Sequence, residues 1–336
     1  MVIRKCNQPN CKFNEDGKCL EGLGDACTHQ FDEEVNSVED KTEAKASEKN
    51  ITNGIKLFSG EYLSLDEITM ISHKFPYRLI TILGNPDSGK TTLLATLYDL
   101  FQKGPFNEFM FSGSLTQIGF ERSCHFSRIH SGNEIPDTER TVSSAFQYGH
   151  LALKKKDALN KKAINLLISN ISGERYMEAL ESSQSMKEIS FIKKSDFLII
   201  MIDGGKIANL KERSGELFNT STFIQKAIEE GVFDKQTDLK IILSKWDLLH
   251  KDSTFNFSEI IEEPLTRKYL NRVNSIAFSK IASRPLAQDE NIKFGHGVHN
   301  LLVEWCEPKQ DKVYHIDTTV KSARSFSNYK FNKEKL

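Results

Sequence analysis

Three things are scarce in this sequence: net charge, long apolar runs and paired cysteines. Over 336 residues, 45 Lys and Arg stand against 46 Asp and Glu, a formal net charge of −1. No whole-chain field therefore singles out nucleic acid or an anionic membrane as the main partner, and nucleic acid is not indicated. The longest uncharged apolar run, FLIIMI at 197–202, is far shorter than the ~20 residues of a spanning helix, so no membrane span is expected. The amino-terminal stretch MVIRKCNQPNC lacks the apolar segment of a secretory signal, and a cytoplasmic location is expected. No C-x-x-C pair occurs among the six cysteines.

What is present is an ordinary globular composition, 38% hydrophobic, in a chain long enough for one large core or two domains. Cys6, Cys11, Cys19 and Cys27 cluster at the start, with His29 behind them. In a reducing compartment, grouped cysteines favour a metal over disulfides, so residues 1–31 are expected to form a small four-cysteine Zn2+ module. The alternative is a cluster with no structural role. Cys124 and Cys306 stand alone and read as small buried hydrophobes.

Residues 32–54 are rich in Glu, Asp, Lys, Ser and Asn and read as a disordered linker. A main domain is expected over 55–308. It opens with a helix that Ser64 can cap, carries Asp66 and Glu67 in its first turn, and stops at Pro76. From Tyr77 the pattern alternates. Strands are expected at YRLITIL, 144–153, 163–169, 196–203, 239–244 and 274–279, and helices after Lys90 and at about 175–192, 210–230 and 297–307. This order predicts a three-layer α/β fold on a mostly parallel sheet. Residues 104–140 show no long periodic element and read as a functional or inserted loop. The tail, 309–336, is basic and aperiodic, either a solvated end or a segment that docks on an acidic partner.

GNPDSGKT at 84–91 satisfies G-x-x-x-x-G-K-[ST] between a strand and a helix, the setting that gives this motif its meaning. Gly84 and Gly89 let the backbone turn so that N–H groups along Asn85, Asp87, Ser88 and the helix start at Thr92 face phosphates. Lys90 would reach the β- and γ-phosphates, and the Thr91 hydroxyl would bind Mg2+. SKWD at 244–247 follows an apolar strand and resembles the [NT]KxD guanine motif of GTPases. A carboxylate at Asp247 can accept the two N–H bonds that guanine offers and adenine does not. Lys245 would lay its stem along the base. Ser244 stands where Asn or Thr is usual, which weakens its bond to the phosphate loop. Ser279, Lys280 and Ile281 are the candidates for backbone contacts to guanine O6.

At the end of the strand near 165, Asn170-Ile171-Ser172-Gly173 takes the place of the D-x-x-G of G proteins. Asn170 can accept a bond from metal-bound water but brings no charge, so Mg2+ affinity should fall. Gly173 would contact the γ-phosphate. Glu174 stands where the Ras-like group has its water-orienting glutamine, which points to slow or altered hydrolysis. A competing assignment gives the metal to Asp203, at the end of DFLIIMID, as an ATPase-like Walker B carboxylate. The first is preferred because SKWD follows in GTPase order. Thr138, or else Thr141, would close on Mg2+ and the γ-phosphate, and Arg140 is a candidate arginine finger.

With these pieces in order the chain resembles the TRAFAC class of P-loop GTPases. More narrowly it resembles the bacterial double-GTPase or GTPase-associated conflict-system proteins, on FSGSLTQIGFE, PDTERT, YGHLALKK, LLISNISGERY, DFLIIMIDGG, ILSKWDLL, IASRP and GHGVHNLLVEW. The resemblance implies a Ras-like fold, binding of GTP/GDP and Mg2+, a protein effector encoded nearby, and a place in antiviral defence. A slow GTP-driven switch is the leading expectation. A pseudo-GTPase scaffold and an ATPase using Asp203 are the alternatives.

Overall fold

The structure is a computed structural model that describes residues 2–6, 30–34, 58–125, 146–158, 162–286 and 290–307. The chain divides into two units, Met1–Lys56 and Leu57–Leu336. In the first, strands β1 (Val2–Cys6) and β2 (Gln30–Glu34) pair antiparallel, with Val2 opposite Glu34 and Cys6 opposite Gln30. Backbone pairing thus carries strand into the first residues of the expected linker. Cys11, Cys19 and Cys27, the rest of that linker and the basic tail lie outside the described residues.

In the second unit, α1 (Leu65–Ser72) starts at Ser64, whose side chain and that of Glu67 bond each other's backbone N–H, which satisfies two donors of the first turn. Then follow β3 (Tyr77–Gly84), α2 (Lys90–Gln102), β4 (Phe109–Gly113), α3 (Gln117–His125), β5 (Gln147–Lys155) and β6 (Ile164–Asn170). After these come α4 (Gly173–Glu181), α5 (Ser183–Glu188), β7 (Phe197–Ile202), α6 (Gly204–Ala208) and α7 (Leu210–Glu229). The described elements end with β8 (Asp238–Leu243), α8 (Glu263–Tyr269), β9 (Ser275–Lys280) and α9 (Val298–Cys306). Seven strands form one sheet in the order β4-β5-β6-β3-β7-β8-β9. The run from β6 to β9 is parallel, while β4 and β5 are antiparallel to their neighbours.

Alternation along the central strands makes three layers. Leu198, Ile200 and Ile202 of β7 face one core with Tyr176 of α4, Phe223 and Ile224 of α7 and Leu265 of α8. Ile199 and Met201 face the other, with Leu93, Leu94 and Leu97 of α2 and Leu301, Leu302 and Trp305 of α9. Strands covered on both faces need apolar residues at every position, which is why FLIIMI reads as an unbroken run. No helix of the described residues is long and apolar enough to cross a membrane.

Three expectations need correction. Residues 104–125 are not a loop but contain β4 and α3. β4 buries only Phe109, and α3 shows the core little beyond Phe120 and Cys124, so neither leaves a long periodic signature. The helix expected at 175–192 is broken at Ser182. That residue is extended (φ −124°, ψ 131°), and its side chain accepts the N–H groups of Gln184 and Ser185, so it ends one helix and caps the next. Residues 258–269 form a π-turn running into α8, a helix with no counterpart in the sequence reading.

Phe223 is fully buried and stacks on Tyr176 with ring centroids 4.2 Å apart. Phe223→Ala should lower unfolding stability by about 3–5 kcal/mol, since the cavity lies between a helix and a sheet that cannot collapse onto it. Urea unfolding checks this.

Candidate functional site

The carboxyl ends of β3, β6, β7 and β8 converge, and the residues singled out in the sequence follow them directly. Between β3 and α2 the chain turns through Asn85, Pro86, Asp87, Ser88 and Gly89. Gly84, Asp87 and Gly89 take φ of +153°, +63° and +94°, conformations open mainly to Gly, Asn and Asp. Lys90 opens α2 and is 7% exposed. Its Nζ donates to the carbonyl oxygens of Gly84 and Asn85, both at 2.8 Å, and to Ser88 Oγ at 3.3 Å. Burial pushes its pKa down from 10.5 to about 8, against the pull of Glu174, Asp87, Glu216 and Asp203. Thr91 and Thr92 follow in the same turn, both half-buried.

β3 and β6 stay in register as far as Ile80 and Ile168. Beyond that the Ser169 hydroxyl, rather than a backbone carbonyl, accepts the Ile82 N–H at 3.1 Å. The strands part there, and Asn170 ends β6 opposite Gln147 of β5. Gly173 lies so close to the loop that a Cβ on it would overlap the backbone nitrogen of Pro86. Glu174 is exposed at the start of α4, and Ser172 caps that helix by accepting the Arg175 N–H.

On the other side of the loop lies a cleft of 310 Å3. Gly89 and Thr92, Lys245 and Asp247, and Ser283 and Arg284 all line it. Lys245 sits at φ +48°, and its Nζ meets both carboxylate oxygens of Asp203, at 2.8 and 2.9 Å. Asp203 also accepts the Gly205 N–H at 2.8 Å, as the cap of α6. The carboxylate named in the competing assignment is therefore held by a lysine and a helix start. Asp247 faces the cleft, with Oδ2 accepting the Leu286 N–H at 3.1 Å. Its turn is tied to the next strand by the Trp246 N–H bond to the Ile281 carbonyl at 3.0 Å.

Some sequence candidates fall elsewhere. Ser279 and Lys280 do not line the cleft, because β9 runs through Lys280 and the loop begins later than the sequence suggested. The Lys280 ammonium lies 4.6 Å from the ring centres of Trp246 and Phe257, a cation–π arrangement. Ile281 is buried in the core beside α9. Ser244 bonds the Ile202 carbonyl at 3.0 Å through its hydroxyl, a short side chain reaching the neighbouring strand rather than the phosphate loop. Thr138, Arg140 and Thr141 lie outside the described residues. Sequence reasoning missed Ser283 and Arg284, whose guanidinium pairs with Asp99 of α2 at 2.5 Å. It also missed Glu216, a buried carboxylate in α7 that accepts from Asn85 Nδ2 at 2.5 Å and from the Asp203 N–H at 3.0 Å. The signal available was a charged residue on the inward stripe of an otherwise amphipathic helix.

A sequence profile described as DO-GTPase2, Double-GTPase 2, matches residues 78–306. No curated protein matches the sequence. Solved structures similar to this chain include nucleolar GTP-binding protein 1 from Plasmodium falciparum, at 15% identity and TM-score 0.35, covering 69% of this chain and 86% of that one. Another is the signal recognition particle receptor SRb-GTP/SRX complex from Chaetomium thermophilum, at 13% identity and TM-score 0.37, with 64% and 94% covered. A third is the GTP-bound Ski7 GTPase-like domain of S. cerevisiae, at 16% identity and TM-score 0.35, with 73% and 53% covered.

The position of Lys90 sets a pH dependence. Its folded pKa, about 8, lies below its ordinary value of 10.5, so between these pH values the unfolded chain binds more protons. Stability of the protein without nucleotide should therefore rise as pH is raised from about 8 to about 10.5, by on the order of 3 kcal/mol. Lys90→Met should lack that rise. Urea midpoints of the two proteins across this range are the check.

Proposed function

The chain belongs to the Double-GTPase 2 family, and on that premise we propose that it is a GTP-binding switch with slow, Mg2+-dependent hydrolysis of GTP. The observation that carries this reading is the placement of Lys90 and Asp247 at one end of the sheet, Lys90 opening the helix whose Gly89 and Thr92 border a cleft that Asp247 also lines. The phosphate tail would lie on the loop 84–91 and the base against Asp247. The Leu286 N–H already bonded to that carboxylate occupies a position that a guanine N–H can take. Ser283 and Arg284, from the loop after β9, border the cleft where the far edge of the base would lie.

The donors around the loop fit Mg2+. Thr91 in α2 carries a neutral hydroxyl, the backbone of β6 ends at residue 170, an asparagine, and Mg2+ typically keeps several waters and takes much of its remaining coordination from substrate phosphates. When bound, the ion would neutralise charge on the phosphates. The chain's own part is to orient them, through the backbone N–H groups at the start of α2 and through Lys90. With an amide at 170 and Glu174 in place of a water-orienting glutamine, attack by water would be slow, and Thr138 would complete the site when GTP is bound. The switch would signal to a protein effector encoded nearby, as in defence or conflict systems. Cys6, Cys11, Cys19 and Cys27 would hold one Zn2+, which metal analysis of protein purified without chelator should find at about one per chain.

The ATPase reading requires Asp203 at the metal, yet its carboxylate is committed to Lys245 and Gly205. Retention of labelled GTP and ATP on purified protein separates the readings. GTP should be retained well above ATP, and Asp247→Ala should weaken GTP roughly 100-fold, the loss of two charge-assisted bonds, with ATP unchanged. ATP retained equally, or Asp247→Ala without effect while Asp203→Asn abolishes turnover, would sink the guanine assignment. Single-turnover GTP hydrolysis should run below ~10⁻² s⁻¹. Asn170→Asp should lower the Mg2+ concentration needed for half-maximal turnover, and no phosphate release at any Mg2+ concentration would favour a scaffold that only holds nucleotide.

A further inference from the structure

Glu216 is the least expected charge in the domain. It sits on α7, between Gly215 and Leu217, and its side chain is 1% exposed. A carboxylate so deeply buried is costly unless its oxygens are all partnered. Here they are: Oε2 accepts from Asn85 Nδ2 at 2.5 Å and lies 3.6 Å from Lys206 Nζ, and Oε1 accepts the Asp203 N–H at 3.0 Å. Asn85 belongs to the phosphate loop, and its own carbonyl receives Lys90 at 2.8 Å. Asp203 in turn holds Lys245, two residues from Asp247. An unbroken line of bonds therefore runs from Asn85 through Glu216 and Asp203 to Lys245. It joins the two ends of the cleft from below, through a helix that itself contributes nothing to the cleft lining.

We infer that Glu216 is a positioning residue that holds the phosphate loop and the base-reading turn in one fixed geometry, so that binding at either end depends on the same buried carboxylate. This rests on the nucleotide-switch reading for its functional consequence, though not for its geometry. An apolar residue at 216 would strand two donors, the Asn85 amide and the Asp203 N–H, each at the root of one half of the site. The requirement is for a hydrogen-bond partner at each of the two positions more than for charge. Asn85 Oδ1 is a buried acceptor with no partner among the described residues. In Glu216→Gln, an inverted Asn85 amide can accept from the new N–H while the remaining oxygen keeps the Asp203 N–H.

The test is amide hydrogen exchange on the full chain without nucleotide, followed by GDP affinity. Glu216→Ala should speed exchange at least about fivefold in both 84–90 and 244–248, with α9 unchanged, while Glu216→Gln stays within about twofold of the parent. GDP should bind about tenfold or more weakly to the alanine variant and within about threefold of the parent to the glutamine variant. Should Glu216→Ala fail to fold, Asn85→Ala carries the test and should speed exchange in 203–205 and 244–248, which its own loop does not contain. Acceleration confined to α7 or to one segment, or a glutamine variant no better than alanine, overturns the inference. The expected exchange pattern in a protein that holds no guanine nucleotide would uphold the brace and refute the switch.

Discussion

Backbone meets backbone at the carboxyl end of this sheet, and everything functional follows from that contact. A Cβ at Gly173 would overlap the Pro86 nitrogen, and one at Gly204 would overlap the Ser244 carbonyl oxygen. Only glycine lets the chain segments after β6 and β7 approach the loop at 84–89 and the turn at 244–247 so closely. Parallel strands then do the rest. Because β3, β7 and β8 run side by side in one direction, segments more than 150 residues apart in sequence begin at the same level, and ligands of open α/β sheets lie there.

Charge is handled differently at the two ends of the site. Lys90 is buried, which weakens its hold on a proton, while its Nζ donates to carbonyl oxygens. Lys245 is paired to a carboxylate at two points and is held in a left-handed turn. The first is held by backbone carbonyls, the second by a carboxylate. Glu216 and Asp203 supply the negative charge beneath both, and each is satisfied by backbone N–H groups as well as by lysines. This is the condition under which buried carboxylates can be kept.

The strand, loop and helix at 77–102 were legible because three local signals agree there: a β-branched apolar run, a loop of fixed spacing and a leucine-rich helix. The turn at 244–247 was legible for the same reason. β4 and α3 were not, since a short edge strand and a helix whose four buried residues include only Phe120 and Cys124 as hydrophobes leave no periodicity to read. Ser279 and Lys280 were placed in the cleft because strand ends cannot be located within two or three residues from pattern alone. The turns after β3 and β8 thus fall where the patterns put them, while β9 runs one residue further than expected.

The alternation of most strands and helices, and the glycine-rich loop between β3 and α2, were determined by sequence alone, because each is a local pattern fixed by residue type and spacing. What the tertiary structure decided was which charges meet. That Asp203 meets Lys245, and that Glu216 of α7 accepts from both Asn85 and the Asp203 N–H, depends on which chain segments the sheet brings to one end. Contacts of this kind follow from the geometry of the sheet and leave no trace in the spacing of the residues that make them.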